Sequence, residues 1–131
     1  LFAQSDVISN HLANNPQTVG MLNALLFDRM KPNTTFINTG RGAQVVEADM
    51  IAALRADPSR AAVLDVTYPE PPREDSPLYT LDNVYLTPHI AGSLGNEVRR
   101  MGEYMLSEYR HVAAGEETKY GVTLKMLETM A

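Results

Sequence analysis

The chain has 131 residues, enough for one ordinary domain with its own core, and its 44% apolar and 21% charged content is that of a globular protein rather than a disordered one. Eleven basic and sixteen acidic residues leave a net charge of −5, with the basic residues dispersed, so no footprint for a nucleic-acid backbone is present. There is no cysteine, which excludes disulfides, thiolate metal sites and a cysteine nucleophile, and no apolar run approaches membrane-spanning length.

In chain order, the first apolar run is Val7 to Leu12, read as a strand that ends near His11. Asn23 is a plausible N-cap for a helix over Ala24 to Met30, with Leu25, Leu26 and Met30 as its apolar stripe. Lys31-Pro32 stops it, and Asn33 can take a left-handed C-cap. A second strand is expected at Thr35 to Asn38. A second helix follows from about Glu47 to Arg55, burying Met50, Ile51 and Leu54, with Glu47 and Asp49 favouring its N-terminal dipole.

Third and fourth strands are expected at Ala61 to Val66 and Val84 to Thr87. All four runs are nearly continuous in apolar character, the pattern of parallel strands covered on both faces. The segment Thr67 to Asn83 between the last two holds four prolines and reads as a stiff loop, with Ser76-Pro77 able to start a single turn. After Gly92 a long helix is expected, with Ser93 as a candidate cap. Val98, Met101, Met105, Tyr109 and Val112 lie on one face of it, and Gly115 lies at its end. Val122 to Met130 reads as a short terminal helix. The alternation is βαβαβ, the mark of an α/β fold with a parallel sheet and right-handed crossovers.

In open parallel sheets ligands bind beyond the carboxyl ends of the strands. There the chain places three chemically suggestive segments: Ile37 to Gly42 (I-N-T-G-R-G), Leu64 to Pro72 (L-D-V-T-Y-P-E-P-P) and Thr87 to Gly92 (T-P-H-I-A-G). Arg41 can hold a carboxylate with two parallel hydrogen bonds. His89 can move a proton, and a carboxylate such as Glu70 on one imidazole nitrogen would fix which nitrogen faces a substrate. Each residue alone also has an ordinary reading: Arg41 in a surface turn, His89 capping a strand end, Glu70 solvated, Asp65 capping a helix. His11 and His111 carry less weight, His111 reading as an exposed helix residue. No cluster has metal-ligand spacing.

Together these segments, with Ser5-Asp6-Val7, Met30-Lys31-Pro32 and Pro69-Glu70-Pro71, resemble the D-isomer-specific 2-hydroxyacid dehydrogenases, which include glyoxylate/hydroxypyruvate reductases and phosphoglycerate dehydrogenases. The similarity runs from Ser5 to Gly92 and is to the C-terminal half of the NAD(P)-binding domain. It implies a partial Rossmann-type doubly wound parallel sheet over residues 1–92, then a helical segment over 93–131 returning toward a substrate domain. By resemblance Arg41, Glu70 and His89 are the catalytic residues: Arg41 on the substrate carboxylate, His89 as proton donor and acceptor, Glu70 as its partner. The cofactor, NAD or NADP, would meet Leu12, Ala13, Thr18, Thr39, Gly40, Arg41, Asp65, His89 and Gly92, with Asp65 at the nicotinamide carboxamide. The implied substrate is a small 2-keto or D-2-hydroxy acid, the implied assembly a homodimer, the expected setting the cytoplasm.

Ala13 stands where the family usually has Pro, and Val46 where an acidic helix cap is common. No G-x-G-x-x-G followed by an acidic residue occurs. With that absence and a first residue that is Leu1, the chain is expected to be part of a longer enzyme, inactive alone and exposing an unpaired edge on its first strand. A dinucleotide-binding corepressor on the same scaffold is the alternative, since fold does not fix function.

Overall fold

The computed structural model describes residues 1–128 and 130, and it divides into two compact units, the first spanning Leu1–Ala91 and the second beginning at Gly92. The first unit is a four-stranded sheet in the order β1 (Val7–Asn10), β2 (Thr35–Asn38), β3 (Ala61–Leu64) and β4 (Val84–Leu86), every neighbouring pair parallel. The α/β class and the Rossmann-like parallel arrangement are as expected from the sequence. Strand β2 matches its expected span, and the other three are shorter than their apolar runs. β1 stops at Asn10 and β3 at Leu64, because the residues after them turn away to form the loops described below.

Burial along the strands alternates rather than being continuous. Ile8, Phe36, Ala62 and Leu64 are buried, whereas Val7 is 59% and Tyr85 60% exposed. The buried face is covered by α1 (Ala24–Phe27) and α2 (Glu47–Ala56), which contribute Phe27, Met50, Ile51, Ala53 and Leu54 to one core. Phe27 is its centre: the rings of Phe2 and Phe36 meet it edge-on at 5.8 and 5.2 Å. Such pairs contribute about 0.5–1.5 kcal/mol each beyond burial.

Asn23 does cap α1, accepting from the Leu25 amide at 3.1 Å, but the helix lasts one turn, to Phe27, instead of reaching Met30. In so short a helix the inward positions are Phe27 and, just beyond, Met30, while Leu25 is 74% exposed. Helix α2 matches its expected span to within a residue. Its N-cap, Val46, has no side-chain cap bond, as a valine must. Asp49 reaches across instead and accepts from the Ala24 amide at 2.8 Å, tying α2 to the start of α1. Asn33 has the expected left-handed backbone, φ +62°. Ser76 caps a single 3-10 turn, Pro77–Tyr79, through the Leu78 amide.

The second unit is built on α3 (Asn96–Ala113). Gly95, at φ +54°, precedes it, so Ser93 is not its cap. Gly115 ends it at φ +70°: its amide bonds to Val112 O and that of Glu116 to His111 O, a Schellman closure. The carboxylate of Glu108 then accepts from the amides of Lys119 and Tyr120, folding the following segment back along the helix. The expected terminal helix reduces to a 3-10 turn, Met126–Glu128. Thr129, the last-but-one residue of that expectation, lies outside the described residues. Among the described residues no helix is long and apolar enough to cross a membrane.

Candidate active site

Strand register sets the site. Asn10, Asn38, Leu64 and Leu86 pair in one row across the sheet. The segments after them therefore emerge at a single edge, and these segments carry Leu12 and Ala13, Thr39 to Arg41, Asp65 to Glu70, and Thr87 to His89. The sheet is parallel, so this is the carboxyl-terminal edge, where ligands bind in such folds.

His89 and Glu70 meet there. Nδ1 of His89 donates to Oε1 of Glu70 at 2.6 Å, and both side chains are partly exposed. A carboxylate only accepts, so this bond puts a proton on Nδ1 and leaves Nε2 for another partner. The proline-rich loop that brings Glu70 in is held by its own side chains: Thr67 Oγ1 donates to Pro69 O at 2.8 Å and the Tyr79 hydroxyl to Pro72 O at 3.2 Å. A cleft of about 460 Å³ opens beside the pair, lined by Asp65, Glu70, Tyr79, Leu86, Thr87 and His89 among others.

Asp65 is the buried charge of the site, only 5% exposed. Its Oδ1 accepts from the Thr87 hydroxyl and from the Ile90 amide (2.8 Å), and its Oδ2 from the Ala91 amide (2.8 Å). Burial pushes its carboxyl up, but the Thr87 hydroxyl, the Ala91 and Ile90 amides and the nearby His89 outweigh it and hold the group below the usual carboxylate range. These donors bracket His89, which sits at φ +55°, a left-handed backbone unusual for a residue with a side chain.

Arg41 follows β2 at the same edge. It is exposed, its Nη1 donates to Gly40 O at 2.7 Å, and it is not among the residues lining the His89 cleft. The turn is fixed from beneath by Asn38, whose Oδ1 accepts from the Gly40 amide (3.1 Å) and whose Nδ2 donates to Arg41 O (3.2 Å).

Asn38 belongs to a buried set of three carboxamides that sequence reasoning does not single out. Asn10 Nδ2 donates to Asn38 Oδ1 (3.0 Å) and to Gln44 Oε1 (2.5 Å), and Gln44 Nε2 donates to the carbonyls of Leu12 (2.5 Å) and Ala13 (2.9 Å). Gln44 is fully buried. One network thus shapes both the loop after β1 and the arginine turn after β2. Its sequence signal is an Asn closing each of two strands otherwise read as apolar.

Leu12 and Ala13 lie on the loop after β1, and Thr39 and Gly40 open the turn after β2. Thr18 is buried, its hydroxyl donating to Ala13 O at 2.6 Å and accepting from the Asn15 amide, so it braces that loop from inside. Gly92 opens the second unit, and a Cβ there would meet no neighbour. His11 bonds Ser9 at 2.7 Å, and His111, half-buried rather than exposed, pairs with Glu116 at 2.9 Å. Among the described residues no group of three or more acidic or histidine side chains could hold a metal ion.

Residues 1–91 match the family model described as the D-isomer specific 2-hydroxyacid dehydrogenase NAD binding domain. The chain is 37% identical over 128 residues, 98% of its length, to D-3-phosphoglycerate dehydrogenase of Archaeoglobus fulgidus, and 42% identical over 88 residues, 67% of its length, to glyoxylate/hydroxypyruvate reductase A of Salmonella newport. It spans 24% and 28% of those two proteins. Among solved structures, a D-isomer specific 2-hydroxyacid dehydrogenase from Xanthobacter autotrophicus Py2, crystallised with NADPH and MES, superposes with a TM-score of 0.82 at 34% identity, covering 96% of this chain and 51% of that one.

Proposed function

The chain belongs to the D-isomer specific 2-hydroxyacid dehydrogenase family, and from that premise we propose that it serves in a longer oxidoreductase that interconverts a small 2-keto acid and its D-2-hydroxy acid. The observation that carries this reading is the 2.6 Å bond between His89 Nδ1 and Glu70 Oε1 at the carboxyl edge of the sheet.

The donor set suits the nicotinamide end of a dinucleotide. Asp65 borders the cleft, and its Oδ2 accepts a single amide, leaving a lone pair for a carboxamide N–H. His89 would complete that end, and Leu12, Ala13, Thr39 and Gly40 would flank the remainder, with Thr18 bracing their loop. When bound, NAD or NADP supplies the hydride. The rest is the work of this chain. Arg41 forks onto the substrate carboxylate and presents the carbonyl in a fixed direction. The Nε2–H of the doubly protonated ring would give its proton to the carbonyl oxygen as negative charge builds there. Glu70 keeps Nδ1–H throughout, so the ring returns to neutral in one tautomer and is reprotonated from solvent. Oxidation runs the same steps backward, Nε2 taking the hydroxyl proton.

The sequence carries no G-x-G-x-x-G turn to cradle a pyrophosphate, so alone the chain is expected to be inactive. A homodimer fits the second unit, where Val98, Met101, Met105, Tyr109 and Val112 are each more than half exposed along one face of α3. A cysteine-free composition suits the cytoplasm. The test is reduction of glyoxylate, hydroxypyruvate and related 2-keto acids by the whole protein, followed by loss of NADH or NADPH absorbance. Turnover that vanishes in His89→Ala supports the assignment, and dinucleotide affinity without turnover of any 2-keto acid overturns it.

A further inference from the structure

We infer that Thr87 is a positioning residue for the proton-transferring histidine: its hydroxyl latches the His89 turn to the buried carboxylate of Asp65. The inference rests on the dehydrogenase reading of His89.

Both halves of the latch are anchored in the sheet. The Asp65 amide donates to Asn38 O of β2 at 2.9 Å, and the Thr87 amide to Leu64 O of β3 at 3.0 Å. These two residues are therefore extensions of neighbouring strands, fixed before any loop is considered. From Thr87 the chain must turn sharply to carry His89 over the cleft. Pro88 restricts the approach, the His89 amide closes on Thr87 O at 3.0 Å, and His89 itself takes φ +55°. A side-chain-bearing residue stays in that conformation only when its flanks are pinned. Thr87 pins one flank, and the Ile90 and Ala91 amides pin the other, all on one carboxylate.

Thr87 is the member of this set that a substitution can remove, because the other two donors belong to the backbone. Its role also requires a hydroxyl. Asp65 is acceptor-only, so its partner must donate, and a β-branched threonine offers that donor from a stiff χ1. Without it Oδ1 keeps only the Ile90 amide, and the side of the turn leading into His89 loses its side-chain anchor. The His89 side chain is 46% exposed and outside the hydrophobic core, so little of the fold's stability depends on where the turn points. What does depend on it is the direction of the ring, and with it the Nδ1 bond to Glu70. The titratable groups that line the cleft with His89 are Glu70 from the proline-rich loop, Asp65 just after β3 and Tyr79 from the 3-10 turn.

The test compares Thr87→Val, isosteric but without a donor, with Thr87→Ser in the whole protein. Two readouts are needed: steady-state 2-keto acid reduction and NMR of the imidazole nitrogens of His89. Thr87→Val should lower kcat about tenfold with the cofactor KM within about twofold. Its ring should change from the single Nδ1–H tautomer to a mixture. Thr87→Ser should restore both. Thr87→Ala carries the same readouts if valine does not fit the site. A donorless variant with wild-type kcat and a wild-type imidazole spectrum overturns the inference. If the wild-type protein reduces no 2-keto acid, the dehydrogenase reading fails, and the imidazole spectrum alone decides whether the latch orients the ring.

Discussion

Gly42 lies against the peptide of Thr67 so closely that a Cβ on it would stand 2.0 Å from the Thr67 carbonyl carbon and 2.1 Å from its oxygen. The arginine turn after β2 and the Glu70 loop after β3 are thus packed backbone to backbone. The relative placement of the guanidinium and the carboxylate depends on a hydrogen atom at residue 42.

Gly42→Ala is therefore expected to push the two loops apart. The obstacle is main chain, which cannot rotate away as a side chain can. Overpacking of this kind costs about 1–3 kcal/mol. Urea unfolding should show that loss. In the whole protein the KM for a 2-keto acid should rise if Arg41 and His89 address one substrate together. An alanine variant with unchanged midpoint and KM would show that the loops relax freely.

Arg41→Lys separates charge from geometry. Lysine keeps the cation but offers no planar fork. If Arg41 holds the substrate carboxylate through two parallel bonds, the lysine variant should lose at least about tenfold in kcat/KM for a 2-keto acid while dinucleotide affinity stays near wild type. Equal kinetics for the two residues would reduce Arg41 to a surface charge.

Much of this site is legible in the sequence because its chemistry sits in short local segments. Glu70 and His89 are each marked by neighbouring prolines or glycine, and both follow apolar runs whose strand character is plain. The carboxamide network is not legible in the same way. Asn10 and Asn38 read as ordinary polar strand ends until the register pairs them directly, and Gln44 becomes a core residue only once its 3-10 turn, Gly42–Gln44, folds under the loop after β1. Helix α1 is shorter than its sequence suggests, because Leu25, Leu26 and Met30 look like a continuing stripe. The chain leaves the helix after one turn, where tertiary packing of Phe27 outweighs local propensity. Thr87 opens the T-P-H-I-A-G segment, yet nothing local reveals that its hydroxyl faces a carboxylate 22 positions upstream.

Gln44→Glu tests the network. Gln44 donates both amide hydrogens to the carbonyls of Leu12 and Ala13 in a fully buried position. A carboxylate there would face two acceptors with nothing to give. Leaving buried acceptors unpaired costs about 1–3 kcal/mol per group, and an unpaired buried charge costs more. We expect a marked fall in the urea midpoint at neutral pH that is partly recovered in acid, where the introduced carboxyl regains a proton and can donate again. A midpoint deficit that does not vary with pH would contradict donation from Gln44 to the two carbonyls.

Asp65 supplies the opposite pH dependence. Its folded carboxyl is held below the ordinary value of 3.8, since the Thr87 hydroxyl and two amides outweigh the cost of burial. The unfolded chain therefore binds a proton in a pH range where the folded chain does not, and stability rises with pH across that range. The contribution is complete above the unfolded value and is lost as pH falls through the folded one. Asp65→Asn removes the titration but keeps one acceptor. The difference in unfolding free energy between wild type and Asp65→Asn should be largest and flat above about pH 5 and should shrink steadily below about pH 4. The other carboxylates titrate alike in both proteins and cancel in the comparison. A difference that grows in acid would mean that the carboxyl is held above its ordinary value, and the three donors assigned to it would have to be withdrawn.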